Sequence, residues 1–144
     1  MIDLNLVNEV KKLENFPLRT YEKIRYADTD RQGHVNNAVF ATLLESGRVE
    51  LLYDQQHPLH DPLGSFVIAS LKLDFLSEMQ WPGTAEIGTK IVRVGSSSIT
   101  IQQGIFQNQL LVASADTVVV HVSNENGKSL AISDKVKRFL EELK

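Results

Sequence analysis

The sequence predicts an α+β fold in which one long apolar helix packs against an antiparallel sheet. Three observations support it: a helical apolar pattern covers residues 37–53, four strand-like segments follow without another helix between them, and their connections have hairpin length. Strands that run together after one helix are typical of antiparallel α+β proteins rather than of doubly wound parallel sheets. No repeat, linker or low-complexity segment divides the 144 residues, so we expect one domain over residues 1–144.

The N-terminal third combines a short helix, a strand and a polar loop before the long helix. Apolar residues at helical spacing predict a leading helix over residues 4–13. An imperfect alternation predicts a first strand over residues 19–26. Residues 28–33 are rich in turn-forming side chains and predict a loop. Residues 37–53 have few polar positions, so we expect a helix buried on most sides by a curved sheet or by a second subunit.

The remainder of the chain changes to a period of two. Apolar residues alternate with polar ones over residues 71–75, 85–91 and 99–105, and residues 110–122 are rich in β-branched side chains. The dipeptide at 126–127 is Asn-Gly, which favours a turn. Ser133 is expected to cap a closing helix whose apolar face carries Val136, Phe139 and Leu140.

Composition and charge exclude several functional classes. The 18 acidic and 15 basic side chains give a formal net charge of −3, the opposite of the basic footprint of a nucleic-acid-binding protein. The absence of cysteine removes thiolate nucleophiles and Cys-ligated metals, and it fits a reducing compartment. No signal-peptide pattern and no apolar run of about 20 residues is present. We therefore expect a soluble, unprocessed, cytoplasmic protein with neither nucleic acid nor a membrane as a partner.

Motifs of several enzyme classes are missing as well. The chain has no G-x-S-x-G, no P-loop, no G-x-G-x-x-G and no H-E-x-x-H. His57, His60 and Asp61 are conceivable metal ligands, but they lie in a proline-containing loop. A plain surface loop is the favoured interpretation, since zinc usually takes three or four protein ligands. His121 is interpreted as a structural residue of a strand. We expect no metal and no organic cofactor.

The strongest signal lies between the first strand and the long helix, where residues 25–38 read RYADTDRQGHVNNA. This segment resembles the signature of hotdog-fold thioesterases, in particular the 4-hydroxybenzoyl-CoA thioesterase-like branch, which reads D-x-D-x-x-G-x-V-x-x-x-x-[YF] before a helix with a Leu-Glu pair. The run Asp30-x-Gln32-x-His34 also resembles the Asp-x-Asn-x-His triplet of plant acyl-ACP thioesterases. The matching positions are Asp28, Asp30, Gly33, Val35, Phe40, Leu44 and Glu45.

This resemblance implies a hotdog fold assembled as a homodimer or a dimer of dimers. It also implies hydrolysis of an acyl-CoA or acyl-ACP thioester with water as the acceptor. A non-catalytic acyl-binding hotdog domain is the alternative. A hotdog dehydratase is disfavoured, because the Asp-x-Asp-x-x-Gly motif stands where the thioesterase branch has it.

Thioester hydrolysis gives these residues a physical interpretation. The tetrahedral intermediate needs an oxyanion site, and a free N–H group at the start of a buried helix supplies one. Asn37 or Ala38 is expected to offer that amide. Asp30 is the nearest carboxylate in sequence, and it acts either as a nucleophile or as a general base. His34 and Gln32 would orient the water or the thioester oxygen.

Each candidate also has a purely structural interpretation. Asp28 and Asp30 can close Asx turns, and Asn36 or Asn37 can cap the helix. We favour this interpretation for Asp28 and catalysis for Asp30, the latter because of the resemblance rather than the spacing. Glu45 is a second catalytic candidate, since another hotdog branch uses a glutamate on the central helix, and its structural alternative is a pair with Arg48.

Substrate contacts are predicted less sharply than the catalytic groups. Gly33 and Ala38 are expected to contact substrate at the loop and the helix start. The aromatic-CoA members have a basic cluster before a Ser in the hairpin between the third and fourth strands, but this chain has Val-Gly-Ser-Ser-Ser at 94–98. Lys90, Arg93 or another subunit would then hold the carrier phosphates. Large apolar side chains without a dedicated polar handle favour aliphatic over aromatic acyl groups; the pocket candidates are Phe40, Leu43, Leu44, Phe66 and Phe75.

Overall fold

The computed structural model describes residues 12–144, and within this range it contains five strands and two α-helices. The predicted leading helix over residues 4–13 lies almost entirely outside the described residues. A 3₁₀ turn at Leu13–Asn15 comes first in the described range. The other elements, in chain order, are β1 (Leu18–Ile24), α1 (Asn37–Leu52), β2 (Gly64–Phe75), β3 (Gly83–Val94), β4 (Ser98–Gln107), β5 (Leu110–Ser123) and α2 (Asp134–Glu141).

The strands form one antiparallel sheet in the order β1-β3-β4-β5-β2. Ile24 at the end of β1 pairs with Gly83 at the start of β3, and Phe75 at the end of β2 pairs with Ala113 near the start of β5. Because neighbouring strands alternate in direction, the chain leaves β1 and β2 at the same end of the sheet. The loops that follow these two strands therefore meet there.

The core lies between α1 and the sheet. Phe40 and Leu44 of α1 are at most 2% exposed, and they pack with Ile87 of β3 and Ile105 of β4. A second cluster lies beneath α2, where Leu140 is fully buried. Burying a side chain of this size contributes about 1.5–3 kcal/mol of hydrophobic free energy. This packing fixes the start of α1 relative to the end of the sheet.

Helix α1 presents one side to solvent in a single protomer, so the sheet alone does not bury it on most sides. Ala38, Thr42, Glu45 and Val49 are exposed, and their spacing of three and four residues places them on one stripe. The sheet covers only the opposite face of the helix. Covering this stripe would require a second molecule.

The end of β1 differs from its prediction, and the cap of α2 agrees with its prediction. Strand β1 ends at Ile24 instead of residue 26, because Tyr26–Asp28 forms a 3₁₀ turn. The cap of α2 is confirmed, since the Ser133 hydroxyl accepts a hydrogen bond from the Val136 N–H at 3.2 Å. Phe139 of the predicted apolar face remains 42% exposed.

His121 has the structural role that its strand position predicted. Its ring is 2% exposed, its Nδ1 lies 3.1 Å from the Leu130 carbonyl oxygen, and its Nε2 accepts from the Asp61 N–H at 3.0 Å. A carbonyl can only accept, so Nδ1 carries the proton.

Among residues 12–144, no helix is both long enough and apolar enough to cross a membrane.

Candidate active site

A cavity of about 320 Å³ opens where the loops after β1 and β2 meet. One part of its wall is polar and comes from the loop before α1 and the first turn of that helix. The other part comes from α1, the end of β2 and the connection after it, and it combines apolar side chains with Ser77 and Glu78. The lining residues are Asp30, Gln32, His34, Val35, Asn37, Phe40, Phe75, Leu76, Ser77 and Glu78.

Asp28 is a structural residue of the loop before this cavity. Its carboxylate accepts hydrogen bonds from the Arg25 backbone N–H at 2.8 Å and from the Arg25 guanidinium at 2.8 Å. The guanidinium hydrogen bond holds the pKa of Asp28 below its usual value. The carboxylate is buried and absent from the cavity wall. Its contacts therefore agree with the structural interpretation, although the turn that it closes precedes it in the chain.

Asp30 combines a turn with an available carboxylate oxygen. Its Oδ1 accepts from the Gln32 N–H at 2.8 Å and from the His34 N–H at 3.3 Å, which is an Asx turn. Within residues 12–144, no hydrogen-bond donor to its Oδ2 is found. The turn thus uses Oδ1 to hold the carboxylate on the cavity wall. Oδ2 remains available to a substrate or a water molecule.

The start of α1 separates the two predicted amide donors. The Asn36 side chain caps the helix by accepting from the Ala38 N–H at 3.0 Å, so the Ala38 amide is already used. The N–H of Asn37, the first helical residue, has no hydrogen-bond partner among the described residues. Asn37 also lines the cavity with Asp30. Of the two candidates, Asn37 is the one whose amide can stabilise an oxyanion.

His34 has a partner that sequence reasoning missed. Its Nε2 lies 3.1 Å from Oε2 of Glu78 in the connection that follows β2. The imidazole is 29% exposed and the Glu78 side chain 63% exposed. Local motif spacing could not find Glu78, because a whole helix and a strand separate it from the motif in the sequence. Gln32 lines the same cavity.

Two other predicted residues have less direct positions. Gly33 adopts φ +85° and donates its N–H to the Asp30 carbonyl oxygen at 3.0 Å, so glycine suits this left-handed turn position. Gly33 itself does not line the cavity. Glu45 also lies away from the cavity, on the exposed side of α1. Burial lowers the pKa of Arg48 from its usual value, and the charge of Glu45 partly opposes this shift.

The structure does not bring Lys90 and Arg93 near Asp30 within one protomer. At about 3.3 Å per residue, these side chains lie roughly 20–30 Å along β3 from Gly83, which is at the cavity end of the sheet. The β3–β4 connection is at the same distant end. Lys90 and Arg93 of the same protomer therefore do not lie beside the Asp30 cavity.

Two of the five predicted pocket residues line the apolar wall. The rings of Phe40 and Phe75 contact each other edge to face with centroids 5.2 Å apart. Leu43, Leu44 and Phe66 pack elsewhere in the core. Among residues 12–144, no group of three or more His, Cys, Asp or Glu side chains could hold a metal ion. The site thus offers a carboxylate, a free amide, an imidazole and an aromatic wall.

Comparisons with known proteins identify the class to which this fold and cavity belong. The family model described as the thioesterase-like superfamily matches residues 24–140. The acyl-CoA thioesterase YbgC of Haemophilus influenzae is 28% identical over 134 residues, which cover 90% of this chain and 96% of that protein. The chain belongs to the thioesterase-like superfamily, whose hotdog fold it has.

Solved structures support the same class. A predicted thioesterase from Bacillus stearothermophilus superposes with a TM-score of 0.77 and 28% identity, covering 87% of this chain and 94% of that one. A Thermus thermophilus thioesterase complexed with coenzyme A and zinc superposes with a TM-score of 0.76 and 26% identity, covering 90% of this chain and 96% of that one. The predictions of an α+β hotdog fold and of a thioesterase-type protein are confirmed.

Proposed function

We propose that this chain hydrolyses an acyl thioester, with acyl-CoA as the first candidate substrate, in the cavity between Asp30 and the start of α1. One observation carries the proposal: the Asp30 carboxylate and the unpartnered Asn37 N–H share one cavity wall. A carboxylate beside a helix-terminal amide is the arrangement that attack on a carbonyl requires. We propose Asp30 and Asn37 of the motif as the catalytic residues, with His34 and Gln32 orienting the reacting groups.

Two routes use this geometry, and both end in the same products. Asp30 can attack the carbonyl carbon, so that a C–O bond forms, the C–S bond breaks, and water later hydrolyses the mixed anhydride. Alternatively, Asp30 takes a proton from water, the resulting hydroxide attacks the carbonyl, and the thiolate leaves with a proton. In either route the negative charge develops on the carbonyl oxygen, where the Asn37 N–H donates.

The carrier is proposed from the relatives together with the charge distribution. A relative named as an acyl-CoA thioesterase and a similar thioesterase in complex with coenzyme A favour CoA over an acyl carrier protein. The hairpin at 94–98 lacks basic residues, which alone favours an acyl carrier protein. For a CoA carrier, we propose that Lys90 and Arg93 of a second copy meet the phosphates. Comparing kcat/KM for the same acyl group on CoA and on an acyl carrier protein tests this choice.

Acyl specificity should follow the aromatic wall of the cavity. We expect kcat/KM to climb with chain length across short-to-medium acyl-CoAs and then to level off, because each buried CH₂ contributes about 0.8 kcal/mol, or about 4-fold. Replacing Phe75 by alanine should reduce the increase in kcat/KM per methylene. Phe139 does not line the cavity, so Phe139→Ala should leave this increase unchanged. Kinetics on an acyl-CoA series measure this, and a preference for benzoyl thioesters over every aliphatic one would refute it.

We also propose that a second copy of the chain covers the exposed apolar surface. Ile68, Leu71 and Phe75 of the edge strand β2 are 52%, 39% and 48% exposed. The exposed stripe of α1 adds Ala38, Thr42 and Val49, with one charged side chain, Glu45, among them. An unpaired strand edge with apolar residues is a natural surface for pairing with an identical strand about a two-fold axis. The proposed assembly is a homodimer, or a dimer of such dimers.

Sedimentation tests this assembly. The parent chain should sediment as a dimer or larger at micromolar concentration, and Leu71→Arg should shift it toward the 16.2 kDa monomer, because a charge would be buried without a partner. Val92→Arg, at a similarly exposed position on β3, is the matched control and should not change the assembly. A parent chain that sediments only as a monomer would contradict the proposal.

We also propose that the chain forms a single domain and is located in the cytoplasm. The family match over residues 24–140 supports a single domain over residues 1–144. The cysteine-free composition supports a cytoplasmic location.

A further inference from the structure

Glu78 lines the cavity on the connection after β2, whose main chain is anchored before and after it. Before Glu78, the Ser77 N–H donates to the Val112 carbonyl oxygen at 3.1 Å. The Val35 N–H donates to the Met79 carbonyl at 2.9 Å, and the neighbouring residue Gln80 forms a β-bridge with His34. Met79 is fully buried. The connection that carries Glu78 is therefore attached to the loop that carries Asp30 and His34.

The contact between Glu78 and His34 sets the tautomer of the neutral imidazole. A carboxylate can only accept a hydrogen bond, so His34 Nε2 carries a hydrogen. This N–H donates to Glu78 Oε2 at 3.1 Å. The lone pair of the neutral ring then lies on Nδ1. The His34 backbone N–H donates to Asp30 Oδ1, so the imidazole belongs to the same turn as the reacting carboxylate.

We propose that Glu78 is a positioning residue that orients His34 as the base for the water step of the reaction. This inference rests on the proposed thioesterase function and on the route in which Asp30 is the nucleophile. Once Asp30 has formed the mixed anhydride, it can no longer accept a proton from water, and a second base is needed. His34 is the imidazole on the cavity wall, and Glu78 holds it in the required tautomer.

The reaction has two steps, acyl transfer to Asp30 and hydrolysis of the anhydride. An Asp30 oxygen bonds to the acyl carbon and the C–S bond breaks, which releases the thiolate. Water then attacks the anhydride, its proton passes to His34 Nδ1, and the acid leaves as the Asp30 carboxylate is restored. The imidazolium, stabilised by Glu78, gives this proton to the thiolate or to solvent. No oxidant, reductant or further reactant is required.

An exposed pair of this kind adds little to folding stability. Removing the Glu78 charge should therefore affect the chemistry more than the fold. We expect Glu78→Gln to lower steady-state kcat by about 10-fold with little change in KM, since a positioned base contributes 10²–10⁴-fold and only its orientation is lost. Glu78→Asp should recover part of the rate, because it retains the carboxylate.

Rapid-mixing kinetics with an acyl-CoA and a thiol reagent separate the two steps. Glu78→Gln should release a burst of thiol equal to the enzyme concentration at nearly the parental rate, followed by the slow steady state. In a His34→Gln background, Glu78→Gln should cause no further loss. Asp74→Asn, at a half-exposed carboxylate near the end of β2, the strand that precedes Glu78, is the matched control and should behave as the parent.

Three results would overturn the role of Glu78: a parental steady-state rate in Glu78→Gln, a burst slowed as much as the steady state, or an undiminished effect in the His34→Gln background. These results are distinguishable from a failure of the proposed function, in which the parent chain itself releases no thiol from any acyl thioester.

Discussion

Replacing Asp30 by asparagine is expected to lower kcat for thioester hydrolysis by at least about 10²-fold while the fold is retained. The asparagine side chain keeps the oxygen that accepts the Gln32 and His34 N–H groups, so the Asx turn can persist. It loses the negative charge that either attacks the thioester or takes the proton from water. Steady-state kinetics with circular dichroism as a check of folding measure this effect.

Asp54 offers a matched control for this substitution. Its Oδ1 accepts from the Gln56 and His57 N–H groups at 2.9 and 2.8 Å, so it forms the same kind of turn as Asp30, but outside the Asp30 cavity. Asp54→Asn should hydrolyse substrate at the parental rate. If Asp30→Asn is also as active as the parent, Asp30 has only the structural role of an Asx turn and its catalytic assignment fails.

Replacing Asn37 by proline is expected to lower kcat by about 10²–10³-fold, equivalent to about 2.7–4 kcal/mol of transition-state stabilisation, because it deletes one oxyanion donor. Proline lacks the backbone N–H but is favoured at the first position of a helix. Asn36, which precedes it, has φ −59° and ψ 137°, a conformation that a residue before proline readily adopts. The helix should therefore form without the amide.

Asn37→Ala is the control that isolates the amide from the side chain. Alanine keeps the backbone N–H and should retain most of the activity. The comparison of kcat between the two variants, with thermal unfolding as a check of helix integrity, measures the contribution of this single donor. Equal activity of the two variants would show that the Asn37 amide does not stabilise the reaction.

Much of the fold could be predicted from periodicity alone. The alternation of apolar residues located β3, β4 and the end of β2, and the helical pattern located α1. The β-branched side chains located β5. The burial of α1 was predicted less well. A single chain shows how many apolar residues a helix has, but the exposed stripe through Ala38 and Val49 depends on how far the sheet reaches around the helix.

The candidate site was predictable where its parts are local in sequence. Asp30, His34 and Asn37 belong to one short motif, and the structure places them on one cavity wall. The choice between Asn37 and Ala38 depends on which N–H the Asn36 cap uses, a detail of hydrogen-bond geometry. Glu78 meets His34 only because the sheet order brings the ends of β1 and β2 together.

The most direct test of the central claim is the release of thiol when the purified chain is mixed with an acyl-CoA. Because the chain contains no cysteine, a thiol reagent reports only the coenzyme A that the reaction sets free. We predict catalytic turnover, with many thiols released per chain, for at least one aliphatic acyl-CoA in a series of increasing chain length. Binding of these acyl-CoAs without any release of thiol would contradict the account and identify a non-catalytic acyl-binding domain.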